Sequence, residues 1–343
     1  MALAGSDFTK TQVPIASERV NNSSTNTSAL GLNWLFLATV LVLCAVGCKN
    51  EPESNRFAEQ PKQSRRIVVA SYALEYLTQR LVDDSISVEF PGSDASDPQE
   101  WEPSVEDIAS MQRADLIVVN GRGAEFAKWL VRTTLSEKKI CASCDDIPLG
   151  SLISVSDFRI VHSHGPEGEH SHAFMVPHTW LEPTVAAAQA KTIAERLADI
   201  YPGMKATIES NLSQLLVELD ELESLLPDSE SESIAIVSSS PELKYLTRAA
   251  GFSDLHLLWF DKLYKADSAS TLKQLGKLVS DSQAVAVVCG GAPIKELETF
   301  CEETDIALVR VDLLEKQPAT GDFLSSMRDN INRLLQLRDS GTR

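Results

Sequence analysis

Basic side chains are scarce in this 343-residue chain. Lys and Arg number 31 against 49 Asp and Glu, a formal net charge of −18. A surface of that sign repels nucleic acid and anionic lipid headgroups, so neither is expected as a partner. Aromatic residues are also few, at 6%, yet 43% of the chain is hydrophobic, enough for one large or two modest cores. Long apolar runs are lacking, with one exception at Gly31–Val46, GLNWLFLATVLVLCAV. As a helix it would reach about 24 Å at ~1.5 Å per residue, short of the roughly 20 residues of a comfortable membrane span. It has no polar face, so it is not a buried soluble helix either.

What is present around that run points outward from the cytoplasm. Small residues, Ala45 and Gly47, stand just before Cys48. This ending resembles a bacterial lipoprotein signal, in which a peptidase cuts beside small side chains and the cysteine thiol takes a lipid. An uncleaved anchor and a cleaved secreted form are the alternatives. Basic residues flank the run on both sides, Lys10 and Arg19 before it and Lys49, Arg56, Lys62, Arg65 and Arg66 after it. The positive-inside rule is therefore silent, and the expectation of export rests on the position and ending of the run. The remaining cysteines are Cys44, the CASC pair Cys141 and Cys144, and the isolated Cys289 and Cys301. Outside the cell a Cys141–Cys144 disulfide is permitted. A thioredoxin-like site is not expected, because loop-forming DDIPLG follows where a helix N-terminus would have to lower the thiol pKa.

Periodicity and turn signals order the rest of the chain. After a signal segment (1–48) and a polar tether (49–65), strands are expected at Ile67–Ala70, Ile86–Glu89, Leu116–Val119 and Lys138–Cys141. Helices are expected at Tyr72–Leu81, from the Ser104 N-cap to Met111, and at Ala124–Val131. Helix-forming residues 185–200 and Lys205–Leu226 make a connector, 184–228, in which Pro202 either opens the second helix or kinks a continuous rod. The alternation then repeats over 229–343. Strands are expected at Ile234–Val237, Leu255–Trp259, Ala284–Cys289 and Ala307–Val311, with a Ser240-capped helix and further helices near 269–280, 293–303 and Phe323–Leu337. The fold class is α/β: an N-terminal lobe (66–183) and a C-terminal lobe, each with a mostly parallel sheet flanked by helices, joined by one long helix. Loops at the C-terminal strand ends should line a cleft between the lobes.

Histidine is concentrated where the helical connector begins. Five of the six histidines fall within seventeen residues. His162 and His164, then His170 and His172, form two His-x-His pairs around glycines, with Glu167 and Glu169 between them. In extended chain the two imidazoles of such a pair share one side. Neutral imidazole and carboxylate suit zinc and related divalent ions. A solvated polar loop is the plain alternative. His178 differs: it opens HTWLEP beside the bulky Trp180, held either as a rigid ligand or by a backbone hydrogen bond.

HTWLEP (178–183), together with DPQEWEPSVEDI (97–108), ADLIVVNG (114–121), SSPELKYLTRAAGF (239–252) and VDLLEK (311–316), resembles the zinc/manganese ABC-transporter substrate-binding proteins, the adhesin-type lipoproteins. The likeness covers roughly residues 66–340, and the His-rich segment is similar to the loop of zinc-importing members. It implies two α/β lobes on one long backbone helix, with metal held in the cleft as cargo for a membrane permease. It also implies four ligand positions, of which His178 and Asp312 carry suitable donors. The other two hold Gln99 and Ser240 where histidines are usual, with Glu100 and Glu102 near the first. His256 and Glu182 are expected to be structural.

The reading is an extracytoplasmic, membrane-anchored binding component of a divalent-metal importer, zinc ahead of manganese, expected as a monomer. Two rivals stand beside it: an interaction or adhesion protein whose cleft no longer binds metal, and a metal store or donor using the His-rich loop. No constellation of open metal site and general base suggests an enzyme.

Two outcomes are expected. Cys48→Ser releases the protein from membranes or leaves an uncleaved precursor, checked by fractionation and N-terminal mass; a wild-type mass retaining residues before 48 refutes it. Deleting 162–172 lowers total zinc stoichiometry in calorimetry, and the lost binding is the fraction that weakens as pH falls through about 6.5, where imidazole protonates.

Overall fold

The computed structural model describes residues 65–96, 98, 101–121, 135–154, 176–228, 233–254 and 260–341. All of them fall in one compact unit, Pro61–Arg343. The signal-like segment with Cys48, the Ala124–Val131 and Leu255–Trp259 segments, His256, and the histidine loop lie outside the described residues.

Two four-stranded parallel sheets share one topology. The first contains β1 (Arg65–Val69), β2 (Ile86–Glu89), β3 (Leu116–Val119) and β4 (Ile140–Ala142) in the order β2-β1-β3-β4. The second contains β5 (Ile234–Ser238), β6 (Phe252–Asp254), β7 (Ala286–Gly290) and β8 (Ala307–Val311) in the order β6-β5-β7-β8. Every pairing is parallel. Central strands such as LIVV of β3 are buried throughout, as parallel strands covered on both faces must be. In each sheet the chain order reverses beside the first strand, between β1 and β3 and between β5 and β7. Crevices open outside the C-terminal strand ends at such points.

Local signals set most of the flanking helices. Helix α1 (Tyr72–Leu81) starts at Ser71, whose hydroxyl accepts from Leu74 N at 3.4 Å. Helix α2 (Val105–Arg113) carries the full capping box: Asp107 N donates to Ser104 Oγ at 3.1 Å, and Ser104 N to Asp107 Oδ2 at 2.8 Å. In the C-terminal lobe, Ser240 occupies the extended cap position before Pro241, but the first turn is a 3-10 turn, Pro241–Leu243, ahead of α5 (Lys244–Ala249). The Ser240 hydroxyl donates to Glu242 Oε2 at 2.9 Å instead of capping. The flanking helices are completed by α6 (Phe260–Ala266), α7 (Ser268–Ser282), α8 (Lys295–Thr304) and α9 (Phe323–Gly341). Helix α6 has no counterpart among the elements expected from sequence, which place a strand just before it. The described strand is the earlier β6, where the buried Phe252 and Asp254 flank the exposed Ser253.

The helical connector resolves into a hairpin. Helix α3 (Pro183–Ile200) is followed by a 3-10 turn at Pro202–Met204 and then α4 (Lys205–Glu223). Pro202 thus opens a reversal. Burial, followed by the Glu182 and Asp220 carboxylates, raises the pKa of Glu223 near the end of α4. The single long helix joining the lobes is α4.

Its inward face, Ile208, Leu215, Leu219 and Leu222, belongs to one continuous core that includes Ile67, Leu77 and Val118 of the first lobe. The same core takes in Tyr245, Val288, Phe323 and Ile331 of the second. Fully burying each such side chain is worth about 1.5–3 kcal/mol. The half-buried pair Arg80–Glu218 (2.6 Å) and the more exposed Arg328–Glu221 (3.5 Å) also tie α4 to the two lobes. Ion pairs near the surface contribute about 0–1 kcal/mol each, so the apolar seam decides.

Leu215 is 0% exposed and Val217, two residues along, is 61% exposed. Leu215→Ala should therefore lower stability by about 2–5 kcal/mol, while Val217→Ala should stay within ~0.5 kcal/mol. Urea unfolding followed by circular dichroism checks the pair, and equal effects would misplace the buried face.

Candidate metal-binding cleft

The cleft forms where the C-terminal ends of both sheets meet. On the first lobe, Asn120, just past β3, fixes the chain that enters it. Its Nδ2 donates to Pro177 O at 2.9 Å, and its Oδ1 accepts from Thr179 Oγ1 at 2.6 Å and Gln189 Nε2 at 2.8 Å. Gln189 Nε2 also donates to Ser143 Oγ at 2.8 Å. This buried polar network holds both neighbours of His178. The histidine leads into a 3-10 turn, Thr179–Leu181, with Pro183 at the first position of α3.

His178 is 1% exposed, and its ring centroid lies 5.0 Å from that of Trp180. Its Nε2 faces Glu315 Oε1 at 2.6 Å, an imidazole–carboxylate contact from one lobe to the other.

Glu315 is delivered by the segment following β8. There Trp180 Nε1 donates to Leu313 O at 2.9 Å, Tyr72 N to Glu315 O at 3.4 Å, and Lys316 Nζ to Ser96 O at 3.0 Å. The approach depends on Gly290 at the end of β7, since a Cβ there would stand 2.8 Å from the Leu313 side chain. Leu314 is fully buried and has φ +56°, in the left-handed region. That conformation costs a non-glycine residue about 1–2 kcal/mol. Three hydrogen bonds oppose the cost: Leu314 N to Asp312 Oδ1 at 2.8 Å, Asp312 N to Asn330 Oδ1 at 2.8 Å, and Asn330 Nδ2 to Asp312 O at 2.7 Å. At about 0.5–1.5 kcal/mol each they offset it.

Further bonds close the lobes elsewhere. Ile153 N donates to Tyr245 OH at 2.9 Å, and Arg248 reaches both Ser151 O (2.8 Å) and the Glu182 carboxylate. Glu182 is thus a structural ion-pair partner, as its sequence context suggests.

The residues expected as ligands are only partly brought together. His178 is in the cleft. Asp312 lies in the segment leading to Glu315, with Oδ1 turned to the Leu314 amide. Ser240 is turned to Glu242, and Glu102 is exposed. Gln99, Glu100 and the loop residues His162, His164, Glu167, Glu169, His170 and His172 lie outside the described residues. Among the described residues, no three His, Cys, Asp or Glu side chains are grouped to hold an ion. Glu315 is the partner that sequence reasoning misses. Its signal is present in VDLLEK, but only the left-handed turn at Leu314 shows which carboxylate of that segment reaches His178.

The CASC pair is no disulfide: Cys141 and Cys144 are both free and buried. Burial pushes their thiols up to about 12 and about 11, respectively, so neither is poised as a nucleophile. Cys144 Sγ instead contacts Thr179 Oγ1 at 3.4 Å, inside the network behind His178.

Comparison with known proteins agrees with this architecture. The chain is 25% identical over 313 residues to the zinc-binding lipoprotein AdcA of Streptococcus pneumoniae, covering 89% of this chain and 60% of AdcA. It therefore spans less than two thirds of that relative. It is 25% identical over 315 residues to the manganese ABC transporter substrate-binding lipoprotein PsaA of the same organism, covering 88% of this chain and 96% of PsaA. The fold matches the laminin-binding adhesin Lmb of Streptococcus agalactiae with a TM-score of 0.62 at 19% identity, over 79% of this chain and 98% of the adhesin. Residues 67–337 match the profile of the family described as ZnuA, zinc-uptake complex component A, periplasmic, and the chain belongs to that family.

Proposed function

We propose that the chain is the extracytoplasmic binding component of an ABC importer for a divalent metal, with zinc ahead of manganese. The cation is cargo, taken between the lobes and passed to a membrane permease. The observation that carries this reading is the His178–Glu315 contact: an imidazole and a carboxylate, the donor types zinc takes, face each other from opposite lobes. At 2.6 Å they are directly hydrogen-bonded. Two donors on one tetrahedral zinc stand about 3.3 Å apart for bonds of ~2.0–2.1 Å, so an ion enters by separating the pair. Two donors are fewer than the three or four zinc sites usually have, and Gln99, Glu100 or Glu102 supply the remainder as weaker or harder oxygen ligands, which favours manganese over what a three-histidine site would allow. The 162–172 segment captures ions ahead of the cleft, and a lipid on Cys48 holds the protein at the membrane. The protein binds and releases and catalyses no reaction.

A second reading has its own support. Among the described residues no third His, Cys, Asp or Glu groups with His178 and Glu315, and the two are bonded directly to each other. On that reading the protein is an adhesion or interaction module that has lost cleft metal binding.

Calorimetry with zinc and manganese on the protein lacking 162–172 separates the two. The receptor reading expects one site per chain, weakened at least about 100-fold by His178→Ala or Glu315→Gln, as loss of one of few ligands requires. It also expects Gln99→His with Ser240→His to tighten zinc by orders of magnitude. No binding by the parent or by the double-histidine variant supports the interaction module. Tight zinc binding unaffected by His178→Ala puts the site elsewhere.

A further inference from the structure

We propose that Asp312 is a positioning residue, not a metal donor: with Asn330 it holds Leu314 in the left-handed turn that presents Glu315 to His178. Four observations converge on this role. The Asp312 carboxylate already accepts the Leu314 amide at 2.8 Å. Its own backbone is held on both sides by one side chain, Asn330, which is 0% exposed and projects from α9. The residue whose amide it accepts, Leu314, is a buried, non-glycine residue at φ +56°. The two peptide groups flanking that turn are anchored to the opposite lobe, through Trp180 Nε1 to Leu313 O and Tyr72 N to Glu315 O.

A leucine does not choose this conformation unaided, because its Cβ crowds the backbone there. An acceptor placed two residues upstream compensates by bonding the amide of the turn, a task Asp and Asn perform better than other side chains. Asn330 in turn fixes the register of Asp312 against α9. The direction of the Glu315 side chain is thus set by a clasp within the C-terminal lobe, before any ion is present. Substitution at 312 should act on metal through Glu315, and the same substitution should loosen the Trp180 bond in the metal-free protein.

The effect on metal rests on the receptor reading, whereas the effect on Trp180 does not. The first readout is hydrogen exchange of the Trp180 indole N–H in the metal-free full chain, assigned with Trp180→Phe. The second is zinc affinity of the protein lacking 162–172, with zinc ion alone as the probe. Asp312→Ala should speed indole exchange and weaken zinc by about tenfold or more, the scale of one lost hydrogen bond to a charged group. Asp312→Asn keeps the acceptor oxygen and should restore both. Adding Leu314→Gly to Asp312→Ala should also restore both, because glycine needs no compensation at positive φ.

A metal donor behaves otherwise. If Asp312→Asn loses zinc as Asp312→Ala does, with indole exchange unchanged and no rescue by Leu314→Gly, the proposal is overturned. Unchanged indole exchange in Asp312→Ala overturns it equally. If the parent binds no zinc while the exchange pattern follows expectation, the positioning role stands and the receptor reading falls.

Discussion

The apolar seam along α4 is the constraint on which the rest of the structure depends. Ile208, Leu215, Leu219 and Leu222 face one continuous core to which both sheets contribute, while smaller clusters around Met111 and around Phe260 fill the far sides of the two sheets. Opening the cleft widely would expose that core, at about 25 cal/mol per Å² of apolar surface. The hairpin partner α3 thickens the seam and starts at Pro183, five residues after His178. The His178 side of the cleft is therefore built directly onto that packed seam. Small separations at the cleft, enough to break a single hydrogen bond, are compatible with such a scaffold. Large hinge motions are not.

Against that rigid background the site is assembled from two kinds of local device. On the His178 side a buried network of Asn120, Thr179, Gln189 and Ser143 satisfies its own donors and acceptors and fixes the backbone on both sides of the histidine. Fully satisfied networks of this type rigidify what they surround. On the Glu315 side the device is a turn with unfavourable dihedrals, compensated by Asp312 and Asn330 and fitted against Gly290. Strain of this sort persists only where surrounding structure over-determines it, and it concentrates at binding sites. The two devices meet in a single contact between the lobes.

Membership of the zinc-uptake family accounts for the repeated parallel sheets and the linking helix. Ser240 keeps the extended conformation and the following proline of a helix start, but its hydroxyl serves Glu242. The lobe closure around it is sustained by ordinary protein contacts such as Arg248 with Glu182 and Tyr245 with Ile153. The closed arrangement is thus held by groups away from His178 as well as by the His178–Glu315 bond itself.

Much of the architecture is legible in the chain. Ser104 and Asp107 announce their capping box, LIVV announces a doubly covered strand, and the repeated alternation of strands and helices announces two parallel sheets. Each of these signals is local, decided by neighbours within a few residues or by a simple period. Histidine placement likewise singles out His178. Elements that depend on distant partners cannot be read this way. Pro202 is equally compatible with a kink and a reversal until α4 has a core to pack against. CASC spacing allows a disulfide, whereas the folded chain holds both thiols free and buried. Among the carboxylates of VDLLEK, sequence position favours Asp312, whereas the folded chain turns Asp312 inward and carries Glu315 to the imidazole. A left-handed leucine is not written in any local preference. Asp312 supplies the local acceptor for its amide, but Asn330 from α9, Gly290 from β7 and Trp180 from the other lobe complete the turn, and only tertiary structure brings them to one place.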